Sequence, residues 1–202
     1  KKKPQGIALC HIKVFHENAS LKMIYPVYHN QAAVANDFLI CYNRNEVNKM
    51  QHSTYAAELF VKGYNCAQAV AVAFCDLTGM EPDYAAKLAS SFGGGMGGLR
   101  EVCGAVSGML MVTGVLYGYD DVNDAEAKKS HYALVQTLAE QFREQSGSII
   151  CREILNNPPT DPKPSPRTAE YYKVRPCARM VLTAATLMDG YIAAHPLEEN
   201  HG

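Results

Sequence analysis

The stretch SFGGGMGGLREVCGAVSG, residues 91–108, decides how the fold is interpreted. Five of the six residues 93–98 are glycines, and Cys103 follows shortly after them. Gly93, Gly95 and Gly98 satisfy G-x-G-x-x-G, the pattern of a loop that binds dinucleotide phosphates. That function requires a strand before the glycines and a helix after them, within a β-α-β unit. The alternative is a turn whose bare backbone lies close to Cys103.

The rest of the chain favours the turn, because no segment shows the sustained polar–apolar alternation of a half-buried strand. We therefore expect an all-α fold, a compact bundle of five or six helices with a glycine-rich loop and a Pro-rich loop at 156–166. Apolar spacing and cap residues predict helices over 53–63, 65–79, 82–92, 100–118, 120–147 and 176–195, with a short helical turn at 148–155.

Composition excludes some classes of function. The chain has 202 residues, of which 48% are hydrophobic and 19% charged, as is typical of a globular protein. A net charge of -1 argues against a nucleic-acid partner, which needs clustered Lys and Arg. The 18 uncharged residues between Glu101 and Asp120 include four glycines and polar side chains, so they favour a buried core helix over a membrane span.

The first part of the chain differs from the rest. Residues 1–49 carry seven Lys or Arg against three Asp or Glu and show no sustained period. We expect 1–49 to be an N-terminal extension, poorly ordered or not native to the domain, and 50–202 to be a helical domain with four redox cysteines. Cys10 and Cys41 lie in the extension and are interpreted as incidental thiols.

The number of cysteines indicates whether the protein works in an oxidising or a reducing compartment. Seven cysteines cannot all pair within one chain, and the N-terminus does not resemble an export signal. We therefore predict a reducing, cytoplasmic location, where clustered cysteines are more often catalytic or metal-binding than structural.

Four cysteines are predicted within about the first turn of a helix: Cys66, Cys103, Cys151 and Cys177. Free backbone N–H groups and the helix dipole at that position stabilise a thiolate and lower the pKa of the thiol. Cys75 lies nine residues after Cys66 on the same predicted helix, so it faces away and is expected to be an ordinary buried thiol.

Residues around Cys103 suggest supporting roles. Arg100 precedes it by three residues and can add positive charge on the same helical face, although a solvated arginine is an equally good interpretation. Gly95 and Gly97 would allow backbone N–H groups to point at the thiol. Gly104 and Gly108 most simply allow tight packing of helices around the site.

GYNCAQAV, the glycine-rich stretch, CGAVSG and the isolated downstream cysteines together resemble the C-GCAxxG-C-C family of redox-active proteins. The resemblance covers roughly residues 50–195, and its motif positions are Cys66, residues 103–108, Cys151 and Cys177. It implies a redox or metal-linked role and names no substrate.

Three functions remain open from the sequence. The first is thiol–disulfide exchange or electron transfer with a redox partner protein or a small oxidant. Here Cys103 is the expected nucleophile, Cys66 is the expected resolving thiol, and Cys151 with Cys177 is expected to form a second couple. Four cysteines allow three pairings, and the sequence does not choose among them. The second is an iron–sulfur cluster or zinc held by the same four thiolates. The third is a non-catalytic interaction module. The helix containing GAVSG also suits a homodimer interface.

Overall fold

The computed structural model describes residues 51–161 and 163–197. The predicted extension lies outside the described residues, as do Cys10 and Cys41, and the boundary at residue 50 stays a prediction. Within the described ranges the fold is all-α, as predicted, with no strand or sheet.

The described part of the chain forms nine helices, three more than the upper predicted count. They are α1 His52–Val61, α2 Cys66–Ala73, α3 Cys75–Thr78, α4 Pro82–Ala89, α5 Gly104–Tyr117, α6 Ala125–Ser146, α7 Cys151–Ile154, α8 Ala169–Val174 and α9 Cys177–Ala194. A 3-10 turn, Ser90–Phe92, leads into a glycine turn, Gly93–Met96, whose two central residues have left-handed backbone conformations.

Short helices account for the difference in count. The predicted helix over 65–79 is divided at Phe74, which has φ -103° and ψ 19° and is fully buried. The helix α8 was not predicted, because it follows directly on the Pro-rich segment. That segment contains no helix among its described residues, as expected.

Capping residues fix where the helices begin. The side-chain oxygen of Asn65 accepts hydrogen bonds from the N–H groups of Ala67 and Gln68, each at 3.0 Å. The Gln68 side chain in turn accepts the Asn65 N–H at 3.0 Å, completing a capping box. Such a cap contributes about 1 kcal/mol, and here it sets the first residue of α2 at Cys66.

The helix α2 forms the centre of the core. Every residue of α2 except Gln68 is buried, and the helix packs against α1, α4, α5 and α9. In contrast, α6 buries only Leu138 and Phe142 and lies on the outside, against α5 and α9. In the part of the chain that the structure describes, no helix is long and apolar enough to cross a membrane.

Two glycines of α5 allow it to lie very close to α2. A methyl group on Gly108 would lie 2.6 Å from the carbonyl oxygen of Ala67 and 3.0 Å from Cβ of Val70. A methyl group on Gly104 would lie 2.8 Å from the carbonyl oxygen of Phe92 and 3.2 Å from Cβ of Cys66. Any side chain at these two positions would therefore push the helices apart.

We predict that Gly108→Ala lowers the free energy of unfolding by about 1–3 kcal/mol, because the added methyl meets the backbone of α2. Gly114→Ala on the same helix is the matched control, since nothing lies within 4 Å of its added methyl. Its better helix propensity should raise stability by up to ~1 kcal/mol. Urea unfolding in a reducing buffer measures both, and equal effects of the two substitutions would refute the close approach.

A histidine ties three helices together on another part of the core. His52 Nδ1 lies 2.5 Å from Oδ1 of Asp189, and its Nε2 lies 3.2 Å from Oδ2 of Asp76. The ring stacks on Phe74 with 4.4 Å between ring centroids. Burial alone would lower the pKa of His52, but the hydrogen bonds to Asp189 and Asp76 and their charges raise it to about 9.

We predict that this cluster stabilises the fold most at low pH. The folded pKa of His52, about 9, exceeds its ordinary value of 6.5. The stabilisation is therefore complete below pH 6.5 and is lost as pH rises through 9. His52→Gln should lower the free energy of unfolding at pH 6 by about 2 kcal/mol. The difference between wild type and variant, measured by urea unfolding at several pH values, should shrink toward pH 9.5. A difference that stays constant would contradict the assignment.

Candidate functional site

All four predicted cysteines line one small cavity. Its volume is about 60 Å³, and it lies where α2, α5, α7 and α9 begin. Its wall contains Cys66, Cys103, Cys151 and Cys177, and the charged and polar side chains beside them are Asn65, Arg100, Arg167, Tyr171 and Arg175. Three of the cysteines are buried and Cys177 is only partly buried.

Each cysteine lies at a helix start, as predicted. Cys66, Cys151 and Cys177 are the first residues of α2, α7 and α9. Cys103 is the residue that caps α5, one position before the helix begins, instead of one turn inside it. Four helix starts that are far apart in sequence are therefore brought to a single cavity.

An isolated antiparallel bridge between Val102 and Ile150 places two of the cysteines side by side. The Cys103 N–H donates to the Ile149 carbonyl oxygen at 2.8 Å. The Cys151 N–H donates to the Glu101 carbonyl oxygen at 2.6 Å. Cys103 and Cys151 each directly follow a bridge residue, so the bridge places these two cysteines next to each other.

The glycine turn supports Cys151 rather than Cys103, which corrects our expectation. Gly95 has φ +68°, and a methyl group on it would lie 2.6 Å from Cβ of Cys151. Gly97 also has a positive φ but is exposed and does not line the cavity. The turn follows a 3-10 turn, so the strand that a dinucleotide loop requires is missing from this described region.

Arg100 is part of the site, but not in the predicted way. It precedes α5 in a left-handed conformation, with φ 64°, so it does not share a helical face with Cys103. Its side chain is 8% exposed, which excludes the solvated alternative. Its charge and a hydrogen bond act on Cys151, and its charge also acts on Cys177.

Two further arginines were not identified from the sequence. The guanidinium of Arg167 donates to the carbonyl oxygens of Phe60 at 3.4 Å and Tyr64 at 3.2 Å. The guanidinium of Arg175 donates to the Ser165 hydroxyl at 3.3 Å. These bonds hold both cations in the cavity wall.

Tyr171 lies between these two arginines. Its ring centroid is 4.9 Å from the guanidinium carbon of Arg167 and 5.1 Å from that of Arg175. Arg175 stands two residues before Cys177, a spacing that could have indicated its role. Arg167 has no such signal, because it lies 10 residues before that cysteine, directly after the Pro-rich segment.

One of the four cysteines has a lowered pKa. A hydrogen bond from Cys66 favours the thiolate of Cys177, and the charges of Arg175, Arg167 and Arg100 act in the same direction against the effect of burial. Together they lower the pKa of Cys177 to about 7. The same hydrogen bond and burial raise the pKa of Cys66 well above its ordinary value. At neutral pH a substantial fraction of Cys177 is therefore thiolate, while Cys66 stays a thiol.

The expectation that all four helix starts lower the thiol pKa is wrong for the other three. Burial raises the pKa of Cys103 to about 12, although the N–H groups of Ala105 and Val106 oppose the rise. Burial also raises the pKa of Cys151, against the opposing effect of Arg100. The loss of hydration destabilises a buried thiolate more than the helix N-terminus stabilises it.

Cys75 lies apart from the four, as expected, but for a different reason. It does not line the cavity. Since α2 ends at Ala73, Cys75 begins the separate helix α3 and is half-buried. Burial raises its pKa to about 11. Cys75 therefore also lies at a helix start. The feature that distinguishes the other four cysteines is that they line one cavity.

The metal alternative needs ligands that surround one point. Within residues 51–161 and 163–197, no three His, Cys, Asp or Glu side chains form a group that could hold a metal ion. The four thiols have the right chemistry for zinc or an iron–sulfur cluster and line one cavity, but in the described residues they are not arranged as such a ligand group.

A protein-family model matches much of the chain. The profile described as "Putative redox-active protein (C_GCAxxG_C_C)" matches residues 64–191, more than half of the chain. The chain belongs to this redox-active family. The match includes all four cavity cysteines and the three arginines. Curated proteins and solved structures give no match.

We predict that iodoacetamide labels Cys177 first. Its labelling rate should rise with a midpoint near pH 7, because the thiolate is the reactive form. Peptide mass spectrometry after short exposures of the reduced protein measures the order of labelling. Cys75 is the internal control: it lies outside the cavity and its pKa is about 11, so it should react slowly at pH 7.5. Labelling of Cys103 before Cys177 would contradict the prediction.

Proposed function

We propose that this protein carries out thiol–disulfide exchange, with Cys177 as the attacking thiolate and Cys66 as the resolving thiol. The observation that carries the proposal is that these two thiols line one cavity together with three arginines, and that the neighbouring thiol and the arginine charges lower the pKa of Cys177 to about 7. A thiolate attacks a disulfide sulfur, and a nearby second thiol is needed to resolve the mixed disulfide.

The reaction balances as two successive exchanges. The Cys177 thiolate attacks one sulfur of an oxidised partner R–S–S–R, forms a mixed disulfide and releases one thiolate RS⁻. Cys66 then loses its proton and attacks the Cys177 sulfur, which forms the Cys66–Cys177 disulfide and releases the second RS⁻. The partner gains two electrons and the protein loses two. Protonation of both leaving groups completes the reduction.

This assignment differs from the roles expected from the sequence. There, Cys103 was the nucleophile and Cys66 its resolver; the pKa of Cys103, about 12, makes that role unfavourable at neutral pH. We assign Cys103 and Cys151, which the backbone bridge holds side by side, to the second couple. Of the three possible pairings, the proposal therefore uses Cys66 with Cys177 and Cys103 with Cys151.

The proposal includes a reducing, cytoplasmic location and a small or protein-bound disulfide as oxidant. All five described cysteines are free thiols, which is the state that the reaction requires. We keep the metal centre as the alternative function for the experiment to test.

The test begins with the full chain purified without oxygen, whose metal content and free thiols are measured. We expect loss of two thiols on brief treatment with bis(2-hydroxyethyl) disulfide, and recovery of both with dithiothreitol. Peptide mapping should find the Cys66–Cys177 disulfide first. Cys66→Ser should stop the reaction at a mixed disulfide on Cys177, and Cys177→Ser should slow it by at least roughly 100-fold.

Cys75→Ser is the control, because that thiol lies outside the cavity and its removal should change neither rate nor product. Stoichiometric iron or zinc that is lost in Cys66→Ser or Cys177→Ser would overturn the proposal in favour of the metal centre. A protein whose thiols neither react nor pair would support the interaction module.

A further inference from the structure

The cysteine cavity has an unbalanced positive charge. Arg100, Arg167 and Arg175 line it, and no Asp or Glu does. Among the described residues, the salt bridges involve other groups, and none of these three arginines lies within 4.0 Å of a carboxylate oxygen. Cys177 supplies at most one negative charge against these three cations. Buried or partly buried charges are normally paired, so the cavity lacks counter-charge.

Arg100 supplies a second, independent sign of a missing ligand. The side chain is 8% exposed, and its Nε is buried with no hydrogen-bond partner. Its Nη1 donates to the Gly94 carbonyl oxygen at 3.5 Å, and the guanidinium also forms a hydrogen bond with Cys151, but neither contact involves Nε. Leaving a buried donor unpaired costs about 1–3 kcal/mol, more when the group is charged. An anion in the cavity that this arginine lines would satisfy that donor.

The other two arginines are held ready for an anion. Arg167 and Arg175 are fixed by bonds to neutral oxygens, and both guanidiniums lie over the Tyr171 ring. Neutral partners anchor the guanidiniums without cancelling their charge. Forked guanidinium groups are suited to two-point recognition of a carboxylate.

The size of the cavity restricts what can enter. A volume of about 60 Å³ holds roughly four water-sized atoms, which suits one end of a small molecule and excludes a folded loop. Cys177 is the least buried of the four cysteines and lies in the same wall as the arginines. An acid group that enters here would bring a sulfur attached a few bonds away next to Cys177.

We propose that the oxidant is a low-molecular-weight disulfide with a carboxylate close to its sulfur–sulfur bond, and that Arg100, Arg167 and Arg175 bind this carboxylate. The proposal rests on the thiol–disulfide function and adds the substrate class. Cys177 attacks the nearer sulfur, one carboxylate thiol leaves, and Cys66 then releases the second by forming the Cys66–Cys177 disulfide. Two protein thiols are oxidised as one substrate disulfide is reduced to two thiols.

Three disulfides with the same two-carbon spacer provide the test: 3,3′-dithiodipropionate, which is anionic, bis(2-hydroxyethyl) disulfide, which is neutral, and cystamine, which is cationic. The rate of thiol loss is measured for each with the reduced full chain at 0.15 M salt. We expect the anionic compound to react faster than the neutral one by on the order of 100-fold, and the cationic compound to be slowest.

Arg175→Gln should reduce the anionic-to-neutral rate ratio roughly tenfold, and Arg175→Lys should restore part of it. The ratio is the readout because loss of an arginine also reduces the thiolate fraction of Cys177, which slows all three disulfides equally. Arg167→Gln is the second variant, in case the first disturbs folding, which circular dichroism checks. Arg179→Gln is the matched control, since Arg179 is exposed on α9 and does not line the cavity, so the ratio should not change.

The outcomes separate the two proposals. Exchange with the neutral disulfide but equal rates for all three compounds would overturn the carboxylate inference and leave the thiol–disulfide function standing. No exchange with any of them would overturn both. An equal fall in the ratio for Arg179→Gln and Arg175→Gln would show a general positive field and contradict a built carboxylate site.

Discussion

The close approach of α5 to α2 is the constraint on which the rest of the structure depends. Gly104 and Gly108 leave no room for a side chain against the backbone of α2 and the neighbouring turn, and Gly104 lies beside Cys66 and directly follows Cys103. Two cysteines that are 37 positions apart in the chain therefore meet because two glycines carry no Cβ. The CGAxxG motif is thus explained by packing: its glycines form the contact that brings its cysteine to the cavity.

Burial and full charges, more than helix dipoles, decide which thiol has a lowered pKa. All four cavity cysteines begin or cap a helix, yet only Cys177 has a lowered pKa. A helix start provides about half a positive charge, whereas each guanidinium provides a whole one. Cys177 has a thiol donor beside it and three arginines acting on it, and it keeps some exposure to water. Cys103 has only backbone donors against deep burial, so it stays protonated at neutral pH.

Much of the fold and the positions of the four cysteines at helix starts were predictable from local signals. The Asn65 cap, the prolines at the starts of α4 and α9, and the apolar spacing gave the main helices. The break at Phe74 was not predictable, because this aromatic residue leaves the helix in order to fill the core. The role of Arg100 was misjudged for a similar reason: its left-handed backbone conformation follows from the bridge and the glycine turn, and helical periodicity does not reveal it.

The sequence by itself determined the all-α class and the positions of four cysteines at helix starts, since caps, prolines and glycines act over a few residues. Only the tertiary structure decided which cysteines are neighbours and which thiol is charged. Those properties depend on contacts between segments far apart in the chain: the bridge between Val102 and Ile150, and the arrival of Arg167 and Arg175 beside Cys177. Burial and electrostatic interactions depend on distances in space, which cannot be deduced from distances along the chain.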